Sequence, residues 1–319
     1  MREDLLVRPM KTTDARGVYR MSSEALPETA DEREEVGRRS AEEIERRKER
    51  YRHFLRHDPG GAWVAADGER VVGVALALER EGVWILSLFA VDEGYRSAGV
   101  GRRLLDHALG YAEGCKGGML ASSTHPAAMR RYAVAGFHLH PTLMTGGRVR
   151  RESLPAGLRV REGTAEGLFL AAEVDRILRG AAHGPDLGFM LQTGCRLFVA
   201  ERWAGRGYAL LWEGSPALVA ATTPEIAADL LWFCLAQSPG ETVEVRWITG
   251  AQNWAVPVVL EAGLSLSPAG PICVRGDLGP SPLTCPAVRF SRTIASGSVE
   301  WTSLAEFREA RADAKQSCR

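Results

Sequence analysis

A glycine-rich turn between a buried strand and a helix is the feature of this sequence that most restricts its fold. The run Val83-Trp-Ile-Leu-Ser-Leu-Phe-Ala-Val91 is long and apolar enough for a central strand, and Arg96-Ser-Ala-Gly-Val-Gly101 follows it. Apolar residues then recur at helical spacing from Val100 to Ala112. This order of strand, glycine turn and helix is typical of folds that combine a sheet with covering helices.

Such a turn is a ready anion site. Backbone N–H groups point outward at the start of a helix, and the helix dipole favours negative charge there. A dinucleotide fingerprint would need a further glycine where Leu104 stands, and a P-loop would need Lys and then Ser or Thr where Arg102-Arg103 stands. Both motifs are therefore excluded.

Further elements follow from local patterns on either side of the turn. Residues 4–9 are predicted to form a first strand, and residues 31–56 to form one amphipathic helix with ion pairs on its outer face. Asp67-Gly68 separates the apolar runs 62–66 and 71–78, which is a hairpin signal.

Composition excludes several classes of function. Forty Lys and Arg balance forty Asp and Glu, so the chain lacks the positive field that nucleic-acid binding requires. No apolar run is long enough for a membrane span, and the N-terminus lacks a signal-peptide profile. The six cysteines form no C-x-x-C pair. Reduced thiols and a cytoplasmic location are therefore expected, and no metal site is predicted.

Two motifs together resemble the GCN5-related N-acetyltransferase (GNAT) family. Arg96-x-x-Gly99-x-Gly101 is similar to the loop that binds the pyrophosphate of acetyl-CoA, and Ala128-x-x-x-Tyr132-x-x-x-Gly136-Phe137 resembles the second signature of the family. The resemblance covers about residues 4–150. It implies a mixed α/β domain whose twisted sheet opens between its fourth and fifth strands to hold acetyl-CoA.

The resemblance also implies which residues form the site. The main chain of Phe89, Ala90 and Val91 would pair with the pantetheine arm. His125 stands where the family usually has Asn and would bind a pantetheine amide, and Tyr132 falls on the position that protonates the leaving thiolate. The pyrophosphate would be held by the loop and its arginines: Arg96, Ser97, Ala98, Gly99, Val100, Gly101 and Arg102.

The general base is unassigned. Many members of the family carry a Glu on the fourth strand, but Ser87 occupies that position, and a hydroxyl is not a base at neutral pH without help. His138 and His140 lie two residues apart, but no third ligand is apparent, so they are interpreted as strand histidines. The carboxylates that remain as candidate bases are Glu24, Glu28, Asp31, Glu79 and Glu81.

A weak internal repeat predicts a second, degenerate domain. Gly136-Phe-His-Leu-His-Pro141 recurs as Gly263-Leu-Ser-Leu-Ser-Pro268, but Thr222-Thr223-Pro224-Glu225 replaces the glycine loop and Val259 replaces Tyr132. The predicted domains are an acetyl-CoA-binding domain at 1–150, a GNAT-like domain at 156–278, and a tail with a final helix at 279–319. Each domain is expected to be a twisted mixed sheet flanked by helices.

The function implied by the resemblance is transfer of acetyl from acetyl-CoA to an amine. The acceptor would be a small molecule or a peptide, which attacks directly with Tyr132 as general acid, and no nucleic acid or membrane is involved. Because a fold does not fix a function, the alternative is a non-catalytic sensor or regulatory module that binds acyl-CoA.

Overall fold

The computed structural model describes residues 5–27, 30–96, 99–238 and 242–278, and these form two sheets covered by helices. The strands are β1 (Leu5–Pro9), β2 (Ala62–Asp67), β3 (Arg70–Arg80), β4 (Val83–Val91), β5 (Gly117–Ala121), β6 (His138–Arg148), β7 (Arg161–Glu162), β8 (Arg196–Arg202), β9 (Gly205–Trp212), β10 (Ser215–Ala221), β11 (Thr242–Ile248) and β12 (Ser265–Gly276). The helices are α1 (Ala15–Ala25), α2 (Ala30–Gly37), α3 (Ala41–His57), α4 (Val100–Gly110), α5 (Pro126–Val134), α6 (Ala165–Arg179), α7 (Pro185–Gln192), α8 (Pro224–Ala236) and α9 (Ala255–Glu261). The helix predicted within 279–319 lies outside the described residues.

The mixed α/β class is confirmed, with two sheets of unequal size. The larger has eight strands in the order β1-β2-β3-β4-β5-β12-β6-β11, and the smaller has four in the order β10-β9-β8-β7. All neighbours in the larger sheet pair antiparallel except β4 and β5, which are parallel. Strands β10 and β11 lie close together without forming a ladder, so the sheets separate there.

Strand β12 joins the two halves of the chain. It pairs with β5 on one side, where Ile272 lies opposite Ala121, and with β6 on the other, where Ile272 lies opposite His140. Strand β6 therefore lies between β12 and β11, and both of its neighbours come from the C-terminal half. The predicted division at residues 150–156 falls between β6 and β7, but the larger sheet continues across it.

Apolar residues on both faces of the larger sheet explain its helical cover. On one face Trp84 and Leu120 pack with Leu104 of α4, and all three side chains are almost completely buried. On the other face Val74 packs with Val18 of α1. A strand that alternates between two buried faces appears as a continuous apolar run, which is the pattern of β3 and β4.

The single helix predicted for residues 31–56 is wrong: the chain breaks after Gly37 and restarts at Ala41. Ser40 caps the second helix, because its side chain accepts a hydrogen bond from the Glu43 N–H while the Glu43 carboxylate accepts one from the Ser40 N–H. This Ser-x-x-Glu capping box starts a helix and so interrupts the earlier one. None of the described helices is both long and apolar enough to cross a bilayer.

The internal repeat has matching geometry in the two halves. Gly136 and Gly263 end α5 and α9 with φ values of 85° and 82°. The next N–H donates to the carbonyl of Tyr132 in the first copy, at 3.0 Å, and to that of Val259 in the second, at 2.9 Å. A positive φ favours glycine, so each helix ends in the same kind of turn.

Candidate functional site

The two parallel strands of the larger sheet open into a cleft. Strand β4 pairs with β5 only over Val83–Leu86, opposite Gly117–Leu120. Residues 88–91 of β4 pair with β3 on one side, beyond a register shift at Ser87, and have no β5 partner on the other. Because main-chain N–H and C=O groups need partners, the open edge that includes Phe89, Ala90 and Val91 is a place where an extended amide-bearing ligand can bind like a strand.

The glycine turn lies at the end of this open edge. Gly99 caps α4 with a φ of 79°, a left-handed conformation that a β-branched residue resists. The Val100 side chain is buried in the core, so the first turn of α4 is held firmly against the sheet. Ser97 and Ala98, also predicted to contact the pyrophosphate, lie outside the described residues.

Gly101 makes room for a cationic side chain that sequence reasoning missed. A Cβ atom at Gly101 would collide with the guanidinium group of Arg131 on α5. That guanidinium also lies 5.8 Å from the centre of the Phe89 ring, and its buried Nη1 atom has no hydrogen-bond partner among the described residues. A buried unpaired N–H is costly, so Arg131 next to a helix N-terminus points to an anionic ligand at this place.

Substitution of Gly99 tests the role of the turn. In Gly99→Val the left-handed conformation would be strained by about 1–3 kcal/mol, so the turn should relax and the Kd for acetyl-CoA should rise about tenfold. Far-UV circular dichroism should be unchanged. The control is Gly110→Val, at the other end of α4, where an added Cβ meets no atom within 4 Å. If calorimetry gave the same Kd for acetyl-CoA in both variants, the turn would not be part of the binding site.

The two arginines predicted beside the loop lie in different settings. Arg96 turns back toward the sheet, and its guanidinium donates to the backbone carbonyls of Val91 at 3.4 Å and Ala25 at 3.1 Å. Arg102 extends into solvent with an 87% exposed side chain, 3.9 Å from Asp106. Arg96 is thus close to the open edge of β4. Arg102 could contact a bound ligand only from the solvent side of the loop.

Tyr132 and His125 both belong to helix α5. Tyr132 is buried, and its ring packs edge-on against Phe89 and Phe137, each with a centroid separation of 6.3 Å. His125 caps the helix, because its Nδ1 atom accepts a hydrogen bond from the Ala127 N–H at 3.2 Å. An imidazole that accepts at Nδ1 carries its proton on Nε2 when neutral, so His125 has a donor left for a ligand.

A cavity of about 260 Å³ lies between strand β4 and helix α5. Tyr132, Phe89 and Ser87 line one part of it, and residues of α1 and α3 line another. The C-terminal half closes the remaining side with Arg179 of α6, with Phe189 and Met190 of α7, and with His183 and Asp186 near the start of α7. The cavity is therefore lined by both halves of the chain.

A buried ion-pair network fixes α7 against the N-terminal half. The guanidinium of Arg80 donates to Asp186 at 2.9 and 3.0 Å and to Asp58 at 2.9 Å, and His53 Nε2 lies 2.9 Å from the Asp186 carboxylate. Burial alone would raise the pKa of Asp186, but the hydrogen bonds from His53 and Arg80 hold that pKa below its ordinary value. Asp186 is therefore an anion that both strand β3 and helix α3 stabilise.

A second buried group in this wall has the arrangement of an oriented base. His183 Nδ1 lies 2.6 Å from Asp175 Oδ2, and the Tyr208 hydroxyl donates to Asp175 Oδ1 at 2.6 Å. Burial opposes ionisation of Asp175, yet the charges and hydrogen bonds of His183, Arg179 and Tyr208 leave its pKa lowered. A carboxylate only accepts hydrogen bonds, so His183 Nδ1 carries a proton in this pair.

The predicted candidate bases whose side chains the structure describes, Glu24, Glu79 and Glu81, are not among the residues that line the cavity. Glu81 is occupied by an ion pair with Arg176 at 2.7 Å. Glu28 lies outside the described residues, and the side chain of Asp31 is not described. Among the described residues no three His, Cys, Asp or Glu side chains are grouped to hold a metal ion, and His138 and His140 lie on strand β6.

The second copy has no counterpart of the glycine turn. Only Thr222 and Thr223 separate β10 from α8, and the Thr223 side chain caps the helix by accepting a hydrogen bond from the Ile226 N–H. Val259, at the place of Tyr132, is fully buried. The described part of this half therefore offers neither an anion cradle nor a proton donor at the equivalent positions.

Comparison with known proteins relates part of the sequence to one family and the fold to several solved structures. Residues 24–137 match the model of the acetyltransferase (GNAT) family. Among solved structures, a candidate acetyltransferase from Pyrococcus horikoshii is 16% identical with a TM-score of 0.70, over 90% of this chain and 96% of that one. A GCN5-related N-acetyltransferase from Sphaerobacter thermophilus is 14% identical with a TM-score of 0.58, over 88% and 97% of the two chains.

A third structure is itself described as a tandem protein. The tandem GNAT protein from the clavulanic acid biosynthesis pathway is 15% identical with a TM-score of 0.53, over 87% of this chain and 99% of that one. At such identities these structures establish the fold alone, and no curated protein matches the sequence. Residues 24–137 thus match the GNAT acetyltransferase family, and the fold of the chain is similar to that of solved acetyltransferase structures, a tandem GNAT protein among them.

Proposed function

We propose that the protein transfers an acetyl group from acetyl-CoA to the amine of a small molecule or peptide. The observation that carries this proposal is the cavity itself, since it joins the open edge of β4 to Tyr132 and to a wall of polar side chains. A protein that only sensed acyl-CoA would need the open edge but not a proton donor that lines the same cavity.

The residues present fit acetyl-CoA. The open edge of β4 suits the amides of the pantetheine arm, with His125 Nε2 as a further donor. The start of α4 and the buried, unpartnered Nη1 of Arg131 suit the pyrophosphate. Arg96, which lies against Val91, adds positive charge beside the same anion. We place the pyrophosphate between α4 and α5 on these grounds.

The reaction requires two proton movements around one nucleophilic attack. The amine nitrogen forms the new bond to the acetyl carbonyl carbon, and the carbon–sulfur bond breaks. Tyr132 gives its hydroxyl proton to the departing sulfur as negative charge develops there. The nitrogen must then lose its surplus proton to a base within the cavity.

We assign the role of base to His183. It lines the cavity, and Asp175 orients the imidazole from behind, which is the arrangement of a nucleophile-activating or amine-deprotonating base. With this assignment, the C-terminal half would supply the general base of the reaction. Ser87, at the position where the family often has Glu, instead accepts a hydrogen bond from Arg50 at 3.0 Å, so its hydroxyl is an unsuitable base.

Substitution of His183 checks this assignment. In His183→Asn we expect kcat/KM to fall about 10²-fold or more at neutral pH, the usual contribution of a positioned base, and the acid limb of the wild-type pH profile to disappear. His140→Asn on β6, outside the cavity, is the control and should keep the wild-type profile. An unchanged acid limb in His183→Asn would exclude His183 as the base.

The experiment that tests the proposed function is a thiol-release assay with acetyl-CoA across a library of amines, combined with calorimetric titration of acetyl-CoA. Acetylation of at least one amine and a stoichiometry of one acetyl-CoA per chain are expected, because the C-terminal copy lacks the loop. Binding of acetyl-CoA without acetylation of any amine would favour the sensor. Two equivalent sites would contradict the assignment of the second copy.

A further inference from the structure

Three apolar side chains in a row across the larger sheet form the floor of one part of the cavity. Leu78 of β3 lies opposite Ile85 of β4, and Ile85 lies opposite Met119 of β5. Residues opposite each other in neighbouring strands share one face of a sheet, and all three line the cavity. The reaction steps described above use none of these side chains, so the floor needs another explanation.

The floor is incompletely covered by the protein itself. Val74, four residues before Leu78 and on the same face of β3, packs with Val18 of helix α1. Ile85 belongs to a strand that is paired on both sides, yet it is only half-buried and faces the cavity. A side chain without neighbouring atoms on one side loses dispersion contacts, so an apolar group of a ligand would complete the packing on Ile85.

Aromatic and thioether side chains from both halves of the chain add walls to this part of the cavity. Phe54 of α3, which belongs to the same core cluster as Leu78, lines the cavity together with Phe189 and Met190 of α7. The Phe189 ring stacks on His53 with centroids 4.2 Å apart, and Phe54 meets the same imidazole edge-on at 5.7 Å. We call the three floor residues with Phe54, Phe189 and Met190 the apolar subsite.

The carboxylate beside the apolar subsite is already engaged. Arg80 follows Leu78 by two residues on β3, and its guanidinium donates to Asp186 of α7 at 2.9 Å. Of the described residues that line the cavity, Asp186 alone has a carboxylate, and His53 Nε2 also lies 2.9 Å from it. A second ammonium group of a ligand would therefore leave water without gaining a carboxylate of its own, which is costly.

The apolar subsite is continuous with the proposed reaction site. Ile85 lies three residues along β4 from Leu88, at the start of the open edge, and Leu88 and Tyr132 line the same cavity. A well-bound water needs several polar partners, and the apolar side chains of the subsite do not provide them. The occupant that fits is a hydrocarbon group of the molecule that reacts at the open edge.

We propose that the apolar subsite binds an aliphatic or aromatic group of the acceptor, so that the substrate is an amine with an uncharged hydrocarbon portion. This inference rests on the proposed acetyl transfer and names its substrate class. The hydrocarbon portion lies against Ile85, and the amine nitrogen reaches the acetyl group at the open edge of β4. A hydroxyl or a second ammonium group at the same place loses its hydration and gains no equivalent partner.

The first test compares amines of equal size that differ in one terminal group. The linear probes are pentylamine, 4-aminobutan-1-ol and 1,4-diaminobutane, and the amino-acid probes are leucinamide and asparaginamide. On each scaffold that is acetylated, the apolar member should have a kcat/KM about tenfold or more above its polar partners, because an unpaired polar group is costly to bury. Equal or faster acetylation of the polar partners would overturn the inference and leave acetyl transfer intact.

Chain length gives a second measure of the same preference. From propylamine to octylamine, kcat/KM should rise about fourfold for each methylene that enters the subsite, the usual gain from burying such a group, and then level off when the subsite is full. Values of kcat/KM that do not change with chain length would contradict the inference.

Two substitutions of opposite size at Phe189 connect the preference to the subsite. Phe189→Ala should lower kcat/KM for pentylamine about tenfold and move the optimum to longer amines, whereas Phe189→Trp should move it to shorter ones. Phe169→Ala on α6 is the control, because that side chain is 76% exposed and does not line the cavity. A purely structural defect would lower kcat/KM for all amines by the same factor, and that result would count against the subsite.

A binding measurement separates this inference from the proposed function. Calorimetry in the presence of coenzyme A would compare N-pentylacetamide with N-(4-hydroxybutyl)acetamide. The pentyl amide should bind about tenfold or more tightly, with a negative heat-capacity change and with weaker binding in Phe189→Ala. If no amine is acetylated but the pentyl amide binds in this way, acetyl transfer is wrong and the apolar subsite stands. If amines are acetylated but the two amides bind equally or not at all, the apolar subsite is wrong.

Discussion

Tyr132→Phe is expected to lower kcat by about 10²–10⁴-fold, the usual contribution of a positioned general acid, while the Kd for acetyl-CoA is almost unchanged. The phenylalanine ring keeps the packing against Phe89 and Phe137, and only the hydroxyl that would protonate the sulfur is lost. Steady-state kinetics with the true acceptor and calorimetry with acetyl-CoA measure the two quantities separately.

The control for this prediction is Tyr111→Phe. The Tyr111 hydroxyl donates to Asp58 at 3.1 Å and does not line the cavity. We therefore expect at most a small loss of stability in this variant and wild-type turnover. Full turnover in Tyr132→Phe would make Tyr132 an ordinary buried tyrosine and would remove the strongest argument for catalysis over sensing.

Asp186→Asn is expected to destabilise the protein by about 3–5 kcal/mol, the effect of removing one partner from a buried ion pair. The Asp186 side chain is only 14% exposed and that of Arg80 only 7%. The Asn amide keeps the size of the group but removes its negative charge. Thermal unfolding of the full chain should therefore show a markedly lower Tm.

The loss of stability caused by Asp186→Asn should become smaller as the pH falls. Because the pKa of Asp186 is lower in the folded protein than its ordinary value of 3.8, the carboxylate contributes stability above that value, and the contribution is lost as the pH falls through the lower folded pKa. The difference between wild type and variant should therefore be largest at neutral pH and shrink below about pH 4. Glu173→Gln breaks an exposed pair with Arg206 and should cost under about 1 kcal/mol; an equal effect in both variants would contradict the prediction.

Much of the site follows from short-range patterns. The strand, the turn and the start of α4 are local features, since glycine at position 99 permits a left-handed backbone and apolar periodicity identifies the flanking elements. Tyr132 and Gly136 belong to one helix and its terminating turn. Such patterns are readable because their causes lie within a few residues of each other.

The parts that escaped prediction depend on contacts between distant segments. Arg131 was not identified because its contact with Gly101 exists only after α5 packs on α4. Arg47 and Arg50 belong to a helix with alternating charges, and that pattern predicts a solvated face with ion pairs. This is correct for Arg52 but not for the two arginines that line the cavity.

His183 illustrates the same limit in the C-terminal half. Its partners Asp175 and Tyr208 lie on α6 and β9, and its place in the cavity depends on how α7 docks on β3 and α3. No spacing in the sequence connects His183 with Tyr132. The position of β12 between β5 and β6 could not be predicted either. The apolar pattern of a strand does not indicate which strands pair with it.

The position of β12 also limits how early the larger sheet can be completed during synthesis on the ribosome. Strands β5 and β6 are synthesised early, but the strand between them spans Ser265–Gly276, and β11, the other neighbour of β6, also comes late. A nascent chain that has reached only the end of β6 therefore exposes unpaired strand edges, which readily pair with other chains. The larger sheet can therefore be completed only after β12 has emerged from the ribosome, and until then the edges of β5 and β6 need protection from pairing with other chains.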